Sequence, residues 1–389
     1  SPYLVVGIDN TDLRNADYTV DVDSSYGGGN GDTYLSFIVD IAKPVIESTF
    51  RTRCGPRNTA LAGSSLGGLI TIDALTQYPE VFGRYGCLSS SIWWNSRSVL
   101  TRVENFLESD PGLGPDGPDV RIWIDGGALE NGVSPRESTL ATVLRNNRSL
   151  LELLTDAGME IGTQVGYYED LEGGHNESSW ANRLPEVLTF LLSDTDYELE
   201  DAQAINATVL GGYLYADASP MTSHLIATAQ FADGARITWP VAYWDVSSQD
   251  SGVLTISTET GEVHAEGGGT GRIDLVAGEA EATLEIPIAA QTVVTDFWVT
   301  VPGGSSPSTV RIAGSAPALG SWDPRGFTLS YQGGNVWAAS VRLELGSTLE
   351  FKVTRGSWAT VERTAQGADI SNRTAEINGD DVVVTVAGW

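Results

Sequence analysis

Lysine is almost absent from this chain of 389 residues: Lys43 and Lys352 stand against 20 arginines. Histidine occurs three times, as His175, His224 and His264, and cysteine twice, as Cys54 and Cys87. Acidic residues outnumber basic ones 51 to 22, for a formal net charge of −29. Each shortage excludes something. Phosphate-rich partners need a basic surface, so neither nucleic acid nor an anionic membrane is expected to bind. No apolar run reaches the ~18 residues of a membrane-spanning helix. Neither a Cys-x-x-Cys nor a His-x-x-x-His spacing occurs, so no metal and no cofactor is expected. Cys54 and Cys87 could pair only in an exported protein, and the expectation is two separate thiols. An acidic, lysine-poor surface fits a saline habitat, and equally an acidic secreted protein with arginine-biased codons.

What is present begins with "NTALAGSSLGGLITIDAL", residues 58–75. The pattern Gly-x-Ser-x-Gly fits one register, Gly63, Ser65, Gly67, which makes Ser65 the central serine. Thr59 to Ala62 read as a short buried strand, and Leu66 to Tyr78 as a helix with Leu69, Ile72 and Leu75 on one face. A serine at such a sharp strand-to-helix turn presents its hydroxyl above the sheet edge. The helix start also leaves backbone N–H groups, Leu66 first, free to face a developing oxyanion.

A serine hydroxyl needs a base to take its proton. His175 is the only histidine before residue 195, where the α/β pattern stops, and it lies in a glycine-flanked loop, "EDLEGGHNESSW". The base in turn needs a carboxylate to orient it. In "DVRIWIDGGALENG", residues 119–132, a strand is followed by Asp125 at its end and Glu130 in the loop beyond. Glu130 is preferred because a loop side chain can reach across to the histidine loop; Asp125 is the alternative, and Asp170 and Glu172 stay open though close in sequence to His175.

These pieces together resemble the esterase family of α/β-hydrolases that includes enterobactin esterases, feruloyl esterases and S-formylglutathione hydrolase-like enzymes. The resemblance runs from about Tyr3 to Leu192 and is carried by "VVGIDN", "YLSFIVDIAKPVIESTFRT", "AGSSLGGL", "YPEVFGRYGCLSSSIWW", "DGGALEN" and "GGHNESSW". It implies Ser65 as nucleophile, Glu130 as acid, His175 as base and Leu66 as an oxyanion donor. Trp93 and Trp94 would wall the substrate pocket or pack in the core. Members of the family carry strands before "VVGIDN", one of whose loops supplies a second oxyanion donor. This sequence starts almost on that strand, so an N-terminally truncated hydrolase domain is expected. Its sheet would have about five strands, near 3–8, 59–64, 84–90, 120–125 and 162–168.

Beyond "DTDYELED" helical periodicity gives way to short alternating stretches between Asp-Gly and Thr-Gly turns, the pattern of a β-sandwich. Residues 205–288 resemble bacterial Ig-like group 2 domains, with Trp244 and Val253 as core and no chemistry expected of His224 or His264. The last hundred residues, with "IAGSAPALGSWDPRGFTLS" and "TLEFKVTRGSWATVE", resemble the family-20 starch-binding domain. That resemblance implies sugar contacts from Trp322, Lys352, Asn372 and Arg373. The second stacking tryptophan of the pattern is replaced by Gly367, with Trp358 elsewhere in the motif and Trp337 in the core.

The expected chain is multidomain: an α/β-hydrolase, 1–195, then two β-sandwich domains, 196–290 Ig-like and 291–389 carbohydrate-binding. Net charge divides among them as −14, −13 and −2. The expected activity is that of an exported or cell-surface bacterial serine esterase acting on carbohydrate-linked acetyl or feruloyl groups. The alternatives are a carbohydrate-binding or adhesion protein with an inactive hydrolase domain, and a siderophore esterase or thioesterase.

Overall fold

A computed structural model describes residues 3–109, 113, 119–130, 140–303 and 309–389. Chain contacts divide it into two compact units. The first comprises Ser1–Ala207, Ile226–Val246 and Leu275–Ala282; the second Thr208–Leu225, Ser247–Asp274 and Thr283–Trp389.

The first unit is built on four parallel strands in sequential order: β1 (Ala60–Ser64), β2 (Arg84–Leu88), β3 (Arg121–Gly127) and β4 (Val165–Asp170). Parallel neighbours need crossovers. Helices α1 (Leu66–Gln77), α2 (Trp94–Ser109) and α3 (Thr142–Asp156) lie between successive strands, and α4 (Glu177–Leu192) follows β4. β2, β3 and most of β4 are buried residue after residue, as strands covered on both faces require. Strand-end registers, Ser64 with Leu88, Leu88 with Asp125 and Gly127 with Asp170, bring the four carboxyl ends to one edge of the sheet.

Two expectations are corrected here. Residues 3–8 form no strand, so the sheet has four strands among the described residues rather than five. A strand exists by its ladder, and Leu4, Val6 and Ile8 stand off from β1 across a groove of about 500 Å³, which Leu61 and Ile70 also line. Nor is β1 the buried strand expected: Ala60 and Ala62 are exposed, and among the described residues β1 pairs only with β2.

A hairpin from the middle of the chain belongs to this unit. Arg236–Thr238 pairs with residues 228–230. Arg236 meets Glu186 of α4 at 2.6 Å and lies over the Tyr168 ring, and Thr238 Oγ1 accepts from Glu169 N–H. Phe231 contacts both the Tyr197 and the Trp239 ring at tilted angles. Trp244 is buried as expected, whereas Val253 is only half-buried and its neighbour Leu254 takes the core position.

The second unit carries a seven-stranded path over its last hundred residues. Its strands are β5 (Thr292–Thr300), β6 (Val310–Gly314), β7 (Phe327–Gly333), β8 (Val336–Glu344), β9 (Thr348–Thr354), β10 (Arg373–Glu376) and β11 (Val382–Thr385). They run in the order β10-β9-β6-β7-β8-β5-β11, antiparallel except for the β5–β11 pair. Alternate residues point inward into one core that includes Phe297, Ile312, Leu329, Trp337, Phe351 and Val384. Trp337 thus takes the core position expected of it.

Candidate active site

Ser65 occupies the turn between β1 and α1 with φ 58° and ψ −120°, a conformation non-glycine residues rarely adopt. Its N–H is tied to Leu88 O of the neighbouring strand at 3.0 Å. Close approach of strand and helix explains Gly63: a Cβ there would sit 2.5 Å from the Gly67 backbone. Gly67 itself has open space around its missing Cβ, so only the first glycine of the pair is sterically required. Leu66 opens α1 and its N–H has no acceptor within the helix.

The next strand ends supply the partners. Past β3, the chain turns to Glu130; past β4, to His175. Glycines let these loops touch. A Cβ on Gly127 would lie 2.1 Å from Gly173 O, and Leu129 N–H donates to that same carbonyl at 3.0 Å. Asn176 then caps α4 by accepting from Ser179 N–H, which fixes the residue before it, His175.

The result is a continuous relay. His175 Nδ1 lies 2.8 Å from Glu130 Oε2, and His175 Nε2 lies 2.9 Å from Ser65 Oγ. Glu130 is fully buried and accepts three hydrogen bonds: from His175, from the Ser89 hydroxyl at 2.5 Å and from Gly127 N–H at 2.9 Å. Burial alone would push its carboxyl up, but the bonds from His175, Ser89 and Gly127 outweigh it and hold it below the usual range. An ionised carboxylate only accepts, so Nδ1 carries the imidazole proton and Nε2 is left as the acceptor for the Ser65 hydroxyl. That is the tautomer general-base catalysis needs.

Asp125, the alternative acid, is buried beside the relay but turned away from it. It accepts from Trp123 Nε1 at 2.9 Å and pairs with Arg183 at 3.0 Å. Asp170 likewise pairs with Arg183. Trp94 is buried, with its Nε1 donating to Asp21 O, whereas Trp93 is exposed. Tyr26 joins them in an aromatic cluster, with ring centroids 5.5 Å from Trp93 and 5.9 Å from Trp94. Trp93 and Trp94 are close in sequence to Ser91, whose N–H donates to Ser65 O and whose hydroxyl lies 3.3 Å from Ser65 Oγ. Directly after the tryptophans, Asn95, Ser96 and Arg97 take left-handed conformations, a turn that no glycine announces. Sequence reasoning missed Tyr26, Ser91 and Trp180, whose ring meets the His175 imidazole edge-on at 5.1 Å. All but Tyr26 lie inside the motif blocks that carry the esterase resemblance, which was the available signal.

The family model described as "Putative esterase" matches residues 1–191. That segment is similar to members of this esterase family. The starch-binding domain model matches residues 292–384. Among curated relatives, the siderophore enterobactin esterase of Emericella nidulans is 42% identical over 79 residues, covering 20% of this chain and 26% of that protein. The protein YbbA of Bacillus subtilis is 39% identical over 131 residues, covering 34% and 48%. An alpha-amylase of Niallia circulans is 30% identical over 204 residues, covering 50% and 14%. The chain therefore spans less than half the length of each of these relatives.

In the segment that matches the starch-binding model, Trp322, Lys352 and Asn372 come from neighbouring backbone. Trp322 N–H donates to Gly314 O, Gly314 pairs with Phe351, and Phe351 pairs with Arg373. Ser321 and Trp322 have φ of 46° and 71°, an uncommon conformation for a bulky residue. Lys352 Nζ donates to Ile370 O, and Asn372 Nδ2 to Glu350 Oε2 at 3.2 Å. Arg373 is drawn inward instead, onto the buried Glu362 at 2.8 Å. Trp358 is exposed. Cys54 is exposed and Cys87 buried, and both are free thiols, as expected.

Proposed function

We propose that this chain is a modular serine ester hydrolase. The observation that supports this most is the unbroken Ser65–His175–Glu130 relay, with contacts of 2.9 and 2.8 Å. Ser65 Oγ attacks the ester carbonyl carbon while His175 Nε2 takes the hydroxyl proton. The oxygen gains the carbonyl electron pair and is met by Leu66 N–H and a second donor. Collapse of that intermediate breaks the ester C–O bond, and the leaving alcohol takes the proton from His175. Water, activated by the same imidazole, then releases the acyl group and restores Ser65. Glu130 holds the imidazole and offsets its charge. Trp93, with Tyr26 and Trp94 behind it, walls the substrate site.

The acyl group proposed is one carried on carbohydrate, acetyl or feruloyl, brought near by a starch-binding segment in which Trp322 stacks on sugar while Lys352 and Asn372 bond to hydroxyls. The strained backbone at Trp322 favours a functional role for that side chain. Residues 1–195, 196–290 and 291–389 are proposed as three modules, the middle one Ig-like, in an exported protein. A second reading, hydrolysis of a siderophore ester, is favoured by the names of relatives such as the enterobactin esterase of Emericella nidulans.

Labelling with a fluorophosphonate probe, followed by peptide mapping, tests the chemistry. An adduct on Ser65 that is absent from Ser65→Ala is expected; an intact, folded chain that takes no label at Ser65 overturns the hydrolase reading. A panel of acetylated oligosaccharides, feruloyl esters and a catecholate trilactone then separates the two substrate readings.

A further inference from the structure

Behind the relay lies a charge the proposed mechanism does not use. Arg183, on α4, is completely buried. Its guanidinium touches the ends of three successive strands. Nη2 donates to Ser89 Oγ, just past β2, at 2.7 Å. The same nitrogen lies 3.0 Å from Asp125 Oδ1 on β3, and Nη1 lies 3.1 Å from Asp170 Oδ2 at the end of β4. Burying a guanidinium is costly even when it is paired and bonded, so its presence asks for a reason beyond packing.

Ser89 gives that reason. A guanidinium has donors only, so its bond to Ser89 must land on a lone pair of the hydroxyl oxygen. The single O–H proton of Ser89 is then free to point one way, to Glu130 Oε1 at 2.5 Å. Without Arg183 the hydroxyl could rotate and accept from another donor. The Ser89 backbone is held in place as well. At φ 45° it is one of few non-glycine residues in the left-handed region, and its N–H is fixed to Asp125 O at 2.8 Å.

We propose that Ser89 and Arg183 are positioning residues for the esterase reaction: Arg183 polarises Ser89, and Ser89 in turn fixes and tempers the Glu130 carboxylate that orients His175. This rests on the relay reading above. The titratable and charged groups along the line are His175 and Glu130 at one end, and Arg183 with Asp125 and Asp170 at the other. Removing the Ser89 donor concentrates negative charge on Glu130. A more basic carboxylate stabilises the imidazolium, so the pH below which activity falls moves upward.

The test uses the full chain, hydrolysing a short-chain nitrophenyl ester, with thermal melts run on every variant. Ser89→Ala leaves Arg183 Nη2 its Asp125 partner, so the fold is retained. Expected for Ser89→Ala is a kcat about tenfold lower, the scale of one hydrogen bond to a charged group, with KM within about twofold. The acid limb of its pH profile moves to higher pH. Arg183→Lys lowers kcat in the wild-type background but adds little to Ser89→Ala, because its effect passes through Ser89. An active wild type whose Ser89→Ala variant keeps its kcat and its acid limb overturns the proposal, as does a loss of kcat with an unmoved limb. A wild type that neither turns over nor labels sinks the relay reading instead, which keeps the two failures apart. Should Arg183→Lys fail to fold, Ser89→Ala decides the matter alone.

Discussion

Glu130 carries its charge inside the protein, and three donors keep it there. Replacing it with Gln retains the shape but not the charge, and the amide can present a donor to Nδ1, which favours the wrong imidazole tautomer. Glu130→Gln is expected to lower kcat by about 100-fold or more with KM little changed, measured on any ester the wild type accepts. The stability consequence has a definite sign. A carboxyl whose folded pKa is depressed contributes stability above its unfolded value of ~4.3 and loses that contribution as pH falls through the folded value. Denaturant melts of wild type and Glu130→Gln should therefore converge below about pH 4. The two elbow glycines part company. Gly63→Ala drives a Cβ into backbone and is expected to cost about 3 kcal/mol, whereas Gly67→Ala meets nothing within 4 Å and, in a helix, should gain up to ~1 kcal/mol. The three side chains that meet in the relay were all named from the sequence, Ser65 by its turn motif, His175 by scarcity and Glu130 by its loop position, with Asp125 as the alternative. Ser89 and Arg183 were not, because they are 94 residues apart and each reads alone as an ordinary surface residue.

Between elements, one ion pair pins the packing of α1 on α2. Arg102 of α2 meets the fully buried Asp73 of α1 at 2.7 Å and also reaches Asp21 in the loop before Tyr26. Burial pushes the Asp73 carboxyl up to about 7 despite the pull of Arg102. The folded state thus holds a proton the unfolded chain has already lost, and stability declines as pH rises from about 4 to 7. Arg102→Met removes the opposing pull. It is expected to cost about 3 kcal/mol, and the gap from wild type should widen above pH 7, read from urea melts at pH 6 and pH 8.5. Helix α1 and strands β2, β3 and β4 followed the sequence pattern closely. The expected strand at 3–8 did not, because alternating or apolar residues describe readiness to pair, while a ladder requires a partner at the right spacing. The fastening of the 226–238 hairpin onto α4 and β4 was also invisible, since Arg236 and Glu186 are 50 residues apart.

At the scale of the whole chain the dominant quantity is a net charge of −29. Like charges repel in a compact body more than in an open coil, and salt screens them over a distance of ~10 Å at 0.1 M. The melting temperature is expected to rise from low salt to about 0.5 M; a steady fall over that range would refute the reading of an acid-rich, salt-adapted surface. The charge is not shared evenly: residues 291–389 carry only −2 of it. The fastened hairpin bears on how this chain can be divided. A cut placed at residue 195, where the helical pattern ends, would strip Arg236 from Glu186 and Tyr168, and Tyr197 from Phe190. Two aromatic faces and an unpaired carboxylate would then meet water. A shorter chain trimmed at the apparent module boundary would be stickier than its parent, and one extended through residue 246 would keep these contacts.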